Sequence, residues 1–393
     1  MCHPASGKCQ VIFFETDRME RKVLDPDVAP DLAFIEQQFP DLDVNVIDRS
    51  LSDNTWVICI DGDCCPGNYY LYDRPRRELT FVFASRPKLA GLPLTRQRPV
   101  HVRASDGEDL LCYLSLPDEA SSRVPLVVWI HGGPMARDSW GFDPEVQLLC
   151  SRGMAVLQVN YRSSLGFGRR FMQLPYGKLD TVRQDIADAT RWAVDSGVAD
   201  RARVAIGGGS WGGYLALRGM TTDAALYACG LALVPVTSIG ATRGLSFRGD
   251  PLIKIYWDEM YGPEVAKNKK AAEAVSPLYH ADKIINPLMV VTCLKDPRVA
   301  PEQGAQIVEE LKRRDVPCYF VTYSNEGHGL RKEPNLLDFW RRAEQFFCRG
   351  LSLPGPPPLD SSWTEGNTAC VEWDTFGGIA NPHQAADPAQ NDA

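Results

Sequence analysis

The chain has 393 residues, of which 44% are apolar and 23% charged, and it carries a net charge of −8. These proportions are ordinary for a globular protein, and the length allows two or three domains. The negative balance argues against nucleic acid or an anionic membrane surface as a partner. No run approaches the roughly 18 consecutive apolar residues of a membrane-spanning helix, and Met1-Cys2-His3-Pro4 opens no secretory leader. The 12 cysteines are scattered singly apart from Cys64-Cys65, and no C-x2-C pair exists. Together these features predict a cytoplasmic protein with free or buried thiols, no zinc site and no membrane association. Composition specifies no oligomeric state.

Residues 1–95 read as β. Short apolar runs at Val11–Phe14, Val44–Ile47, Trp56–Ile60, Tyr69–Tyr72 and Leu79–Phe83 are separated by turn residues, and a helix is predicted from Pro30 to Gln38. The last three runs, with close turns between them, predict consecutive strands of an antiparallel meander. From residue 96 the pattern changes. Val100–Val102 and Leu110–Leu114 predict an opening strand pair. Strands at Leu126–Ile130, Ala155–Val159, Val204–Ile206, Leu231–Val234, Leu288–Thr292 and Cys318–Thr322 then alternate with helical segments near 144–152, 181–194, 302–313 and 335–347. Such alternation predicts an α/β fold with a mostly parallel, doubly wound sheet, which sets reactive groups at the carboxyl ends of strands. The stretch from Pro235 to Ile285 breaks the rhythm. Its aromatic residues Tyr256, Trp257 and Tyr261 favour a cap over the site, against a helical insertion that packs elsewhere. After Gly350 the chain is rich in Pro, Gly, Asp and Asn and has no period, so 351–393 is predicted to be disordered.

The chemistry centres on Gly208-Gly209-Ser210-Trp211-Gly212-Gly213, a glycine-flanked serine between a short strand and a helical pattern. A G-x-S-x-G on a strand-to-helix turn is how an α/β-hydrolase exposes a nucleophile. Serine needs a base, and the base needs an orienting carboxylate, in the chain order Ser, Asp, His. Asp296 follows the Leu288–Cys293 run and His328 follows Tyr319–Tyr323, so both fall at strand carboxyl ends. Asp180 and Asp315 are rival carboxylates that follow no sheet strand, and His280 is a rival base that breaks the order. His131-Gly132-Gly133-Pro134 follows another strand and resembles a loop whose backbone N–H stabilises an oxyanion. Gly133 and Trp211 are the predicted oxyanion donors, Trp211 because it follows the nucleophile. His131 is assigned a structural role.

These segments, with Asn160-Tyr161-Arg162-Ser163-Ser164, Ser276-Pro277-Leu278-Tyr279-His280, Asp296-Pro297-Arg298-Val299 and Glu326-Gly327-His328-Gly329, resemble the prolyl oligopeptidase family of serine peptidases. The best match is its dipeptidyl-aminopeptidase and acylaminoacyl-peptidase branch, over about 96 to 348. The resemblance implies an α/β-hydrolase domain joined to a β-propeller, a peptide substrate, no cofactor, and an arginine two residues after the acid that binds a substrate carbonyl. Arg298 holds that place. Ser163 and Trp211 depart from the glycine and tyrosine common in the family. The β region before residue 96 is too short for a propeller, whose blades take about 40 residues each. The expected organisation is therefore a partial propeller remnant at 1–95, a catalytic domain at 96–350 and a tail at 351–393. The expected activity is a serine peptidase acting on short peptides. The alternatives are an esterase of the same fold and a non-catalytic interaction protein derived from a truncated hydrolase.

Overall fold

The structure, a computed structural model, describes residues 1–117, 123–241, 251–357 and 361–379. Its strands are β1 (Val11–Glu15), β2 (Met19–Val23), β3 (Asp43–Arg49), β4 (Thr55–Gly62), β5 (Cys65–Asp73), β6 (Glu78–Ala84), β7 (Gln97–Arg103), β8 (Asp109–Ser115), β9 (Val124–Ile130), β10 (Ala155–Val159), β11 (Ala199–Gly209), β12 (Cys229–Leu233), β13 (Leu288–Cys293), β14 (Cys318–Tyr323) and β15 (Ala369–Asp374). The helices are α1 (Ala29–Gln38), α2 (Pro144–Cys150), α3 (Gly168–Gln173), α4 (Asp180–Asp195), α5 (Trp211–Thr222), α6 (Pro251–Lys267), α7 (Lys269–Ala274), α8 (Glu302–Lys312) and α9 (Glu333–Gly350). No described helix is long and apolar enough to cross a membrane.

The described residues divide into two compact units. The first is built on Met1–Val100 and takes in segments of Tyr113–Glu119 and Asp138–Ser151. In it β3, β4, β5 and β6 form an antiparallel meander in that order, and β1 pairs with β2. Alternation along β4 turns Trp56, Ile58 and Ile60 inward, where they meet Leu32 and Ile35 of α1 and Tyr72 of β5. Strand β2 (Met-Glu-Arg-Lys-Val) escapes sequence reading because its side chains are mostly charged and exposed; it exists through its pairing with β1. The unit extends past residue 95 and includes α2, and side-chain bonds between segments distant in sequence accompany that grouping. Gln147 donates to the carbonyls of Asp63 (3.1 Å) and Thr95 (2.8 Å), and Trp140 donates to Gln97 O at 3.0 Å.

The second unit takes in the described residues of His101–Cys112, Ala120–Arg137 and Arg152–Ala393. Strands β7 to β15 form one mixed sheet in the order β15-β14-β13-β12-β11-β9-β10-β8-β7. The neighbours from β10 through β14 run parallel, and β15 adds antiparallel to β14. The central runs, such as Leu-Met-Val-Val-Thr-Cys of β13, are apolar without alternation because both faces are buried. Parallel direction puts the carboxyl ends of β9, β11, β13 and β14 along one edge, which is where the residues singled out for chemistry follow. Part of the tail predicted to be disordered is ordered. A 3₁₀ turn at Ser361–Thr364 leads into β15. Composition misjudges it because the strand draws its hydrogen bonds from β14, far away in sequence. Residues 358–360 and 380–393 of that tail lie outside the described residues.

Candidate active site

Ser210 sits in the tight turn between β11 and α5 with φ 57° and ψ −115°, a backbone conformation that strains any residue with a Cβ. Its neighbours are glycines for a steric reason. A Cβ on Gly208 would lie 2.5 Å from Ile130 O, and one on Gly212 would lie 2.1 Å from the same atom. The end of β9 therefore passes directly over the turn, and the serine side chain is left projecting from it.

His328 Nε2 lies 2.8 Å from Ser210 Oγ, and His328 Nδ1 lies 2.7 Å from Asp296 Oδ2. The other carboxylate oxygen of Asp296 accepts the backbone N–H groups of Arg298 (2.8 Å) and Val299 (3.0 Å). The Asp296 side chain is 1% exposed and that of His328 14%. The structure thus brings Ser210, His328 and Asp296 into one hydrogen-bonded chain, with His328 Nε2 facing the hydroxyl and the carboxylate fixed from behind.

The rivals are engaged elsewhere. His280 Nε2 bonds Ala274 O at 2.9 Å, and Asp180 pairs with Arg183 and Arg218. Asp315 is a turn residue at φ 53° beyond α8.

The loop from His131 lies against Ser210: a Cβ on Gly132 would be 3.5 Å from Ser210 Cβ. Gly133 has φ +125°, and a Cβ there would come 2.7 Å from Met135 N, so only glycine fits. Trp211 opens α5, and its N–H is among those at a helix start that have no intrahelical partner.

His131 is held, not free to act as a base. Its ring stacks on Tyr161 at 4.3 Å, Nδ1 donates to Gly132 O (2.8 Å) and Nε2 lies 2.9 Å from Ser164 Oγ. Burial lowers its pKa to about 4, helped by the Arg137 charge and opposed by the bond to Gly132. The Asn160–Ser164 segment that supports it is itself anchored, since Arg162 N donates to the buried Asp185 at 2.8 Å.

Arg298 contributes its backbone to Asp296, and the residue is exposed, so its guanidinium takes no part in the hydrogen-bonded chain. The Trp211 ring lies 4.5 Å from Tyr214, 5.7 Å from Trp257 and 6.3 Å from Tyr261. Trp257 and Tyr261 of the expected cap segment therefore pack against the residue that follows Ser210; residues 242–250 of that segment lie outside the described residues. Sequence reasoning missed Asn335, whose Nδ2 donates to Asn325 Oδ1 and Glu326 Oε1 just before His328, and Thr368, whose Oγ1 donates to Asn325 Oδ1. Nothing local to either residue signals these bonds.

The family model described as the prolyl oligopeptidase family matches residues 140–353. The chain belongs to the prolyl oligopeptidase family. It is 36% identical over 374 residues to dipeptidyl aminopeptidase BIII of Pseudoxanthomonas mexicana, covering 91% of this chain and 53% of that protein. It is 32% identical over 382 residues to dipeptidyl peptidase family member 6 of Caenorhabditis elegans, covering 89% and 51% respectively. A puromycin-hydrolyzing peptidase of Mycobacterium tuberculosis superposes with a TM-score of 0.73 at 25% identity, over 89% of this chain and 53% of that one. The chain thus spans about half the length of the curated relatives it matches. Its sheet is that of the α/β-hydrolase fold shared by its prolyl oligopeptidase family neighbours. Ser210, Asp296 and His328 all fall within the matched span of 140–353.

Proposed function

We propose that the chain is a serine peptidase that hydrolyses short peptides through an acyl-enzyme. Ser210 Oγ attacks the scissile carbonyl while His328 Nε2 takes its proton. Asp296 keeps the imidazole in the tautomer that presents Nε2 as acceptor and stabilises the imidazolium that forms. The N–H groups of Gly133 and Trp211 receive the oxyanion of the tetrahedral intermediate. Collapse breaks the C–N bond, His328 returns the proton to the leaving amine, and Ser210 keeps the acyl group. Water then repeats the sequence and frees the serine. Arg298 reaches from its exposed position to orient a substrate carbonyl. The scheme uses no metal or organic cofactor.

The observation that carries this reading is the unbroken chain Ser210–His328–Asp296, closed by the two backbone N–H groups behind the carboxylate. A peptide substrate is supported by relatives described as dipeptidyl aminopeptidase and acylamino-acid-releasing enzyme. The test is turnover of aminoacyl and acyl-aminoacyl amides beside matching esters. Ser210→Ala should lower amide turnover by at least about 10³-fold. Undiminished amide turnover overturns the assignment, and ester turnover without amide turnover assigns an esterase instead.

A further inference from the structure

We propose that residues 361–379, beyond the span matched to the family, clamp the loop that carries His328, with Thr368 as a positioning residue for the reaction. The inference rests on the role proposed above for Ser210 and His328.

The segment is well anchored. Strand β15 pairs along β14 from Tyr319 opposite Asp374 to Tyr323 opposite Ala369. Thr375 N donates to Cys318 O at 3.0 Å, the Phe376 ring lies 4.9 Å from Phe346, and the Lys312 ammonium sits 4.3 Å over Trp373. The pairing delivers Thr368 to the point where β14 ends and the His328 loop begins. Ser324 N donates to Thr368 O at 3.3 Å.

From there a polar network, buried at Asn335 and Glu326, runs along the loop that carries His328. Thr368 Oγ1 donates to Asn325 Oδ1 (2.9 Å), and Thr368 N donates to Asn335 Oδ1 (2.8 Å). Asn335 Nδ2 donates onward to Asn325 Oδ1 (2.8 Å) and Glu326 Oε1 (2.7 Å). Glu326 also accepts the backbone N–H groups of Arg331 (3.2 Å) and Lys332 (2.9 Å), on the far side of His328. The Glu326 carbonyl accepts Lys295 N–H at 3.0 Å, one residue before Asp296. Asn335 and Glu326 are 1% and 3% exposed, so water cannot replace a partner lost from either of these two, and Thr368 and Asn325 tie them to β15 from the partly exposed side. Such a network is fully satisfied or it is a liability. Loosening it at Thr368 lets Asn325 and Glu326 shift, and with them His328 relative to both Ser210 and Asp296.

The experiment uses the full chain. Thr368→Val keeps the β-branched shape and the backbone N–H but removes the hydroxyl donor to Asn325. It should lower kcat on an aminoacyl amide about tenfold with KM unchanged, since small misplacements of a reacting group are costly. Fluorophosphonate labelling of Ser210 should slow in parallel, and Thr368→Ser should restore both rates. Thr322→Val removes a β14–β15 side-chain bond to Glu372 (2.8 Å) away from the loop, and should leave both rates unchanged. If the valine variant fails to fold, Asn325→Ala removes the same bond together with the one from Asn335 and carries the comparison, with a loss at least as large expected and wild-type rates overturning the clamp. Wild-type rates in Thr368→Val, an equal loss in Thr322→Val, or no rescue by serine overturns the clamp alone. A wild-type chain that neither turns over amide nor labels at Ser210 overturns the proposed function, and the clamp with it.

Discussion

Asp296→Asn isolates what the carboxylate does, because the protein dictates how the amide must sit. One oxygen of Asp296 accepts two backbone N–H groups, from Arg298 at 2.8 Å and Val299 at 3.0 Å. An asparagine NH2 placed there would face two donors. Its carbonyl oxygen must therefore take that position, which turns the NH2 toward His328 Nδ1, now 2.7 Å from a carboxylate oxygen. A donor at that point makes Nδ1 the acceptor and moves the ring proton to Nε2, facing Ser210. The base is then blocked while the geometry is preserved. The expected loss in kcat is about 10⁴-fold, or about 5 kcal/mol of transition-state stabilisation. The assay is steady-state turnover of an aminoacyl amide, with thermal unfolding to show that the isosteric variant is folded. A folded Asp296→Asn variant that loses less than about tenfold in kcat would refute the tautomer argument.

Two further outcomes follow from the same geometry. Folded His131 stays neutral down to about pH 4, whereas an unfolded histidine binds a proton near 6.5. The unfolded state holds more protons in between, so stability is complete above about pH 6.5 and falls as pH drops toward 4, by about 3 kcal/mol in all. Thermal unfolding across that window should decline more steeply for the wild type than for His131→Gln; parallel curves would contradict the buried neutral ring. Arg298→Ala should raise KM for peptide amides about tenfold with little change in kcat, as expected for loss of uniform substrate binding. An unchanged KM would remove Arg298 from the substrate site.

Much of this site could be read from the chain, and the reasons are local. Gly208 and Gly212 are imposed because a Cβ on either would lie 2.5 or 2.1 Å from a single carbonyl of β9, so the motif records the steric demand directly. Asp296 and His328 could be ranked above Asp180 and His280 because each follows an apolar run that becomes a parallel strand, and parallel strands end on one edge. What the sequence concealed is non-local. Strand β15 lies in a Pro- and Gly-rich stretch and exists through its pairing with β14, so composition pointed the other way. Asn335 and Thr368 are unremarkable polar residues until the fold sets Asn335 beside Glu326 and Thr368 beside Asn325 and Asn335. Strand β2 is hidden by its charges, and the grouping of α2 with the first unit is accompanied by side-chain bonds from Gln147 to distant carbonyls.

The central claim is that Ser210 is an activated nucleophile. Its most direct test is reaction of the folded chain with a fluorophosphonate, followed by peptide mapping of the adduct. One residue, Ser210, should be phosphonylated, with labelling abolished in Ser210→Ala and strongly slowed in His328→Ala. A folded chain that remains unlabelled, or that labels at another serine while Ser210 is untouched, would contradict it.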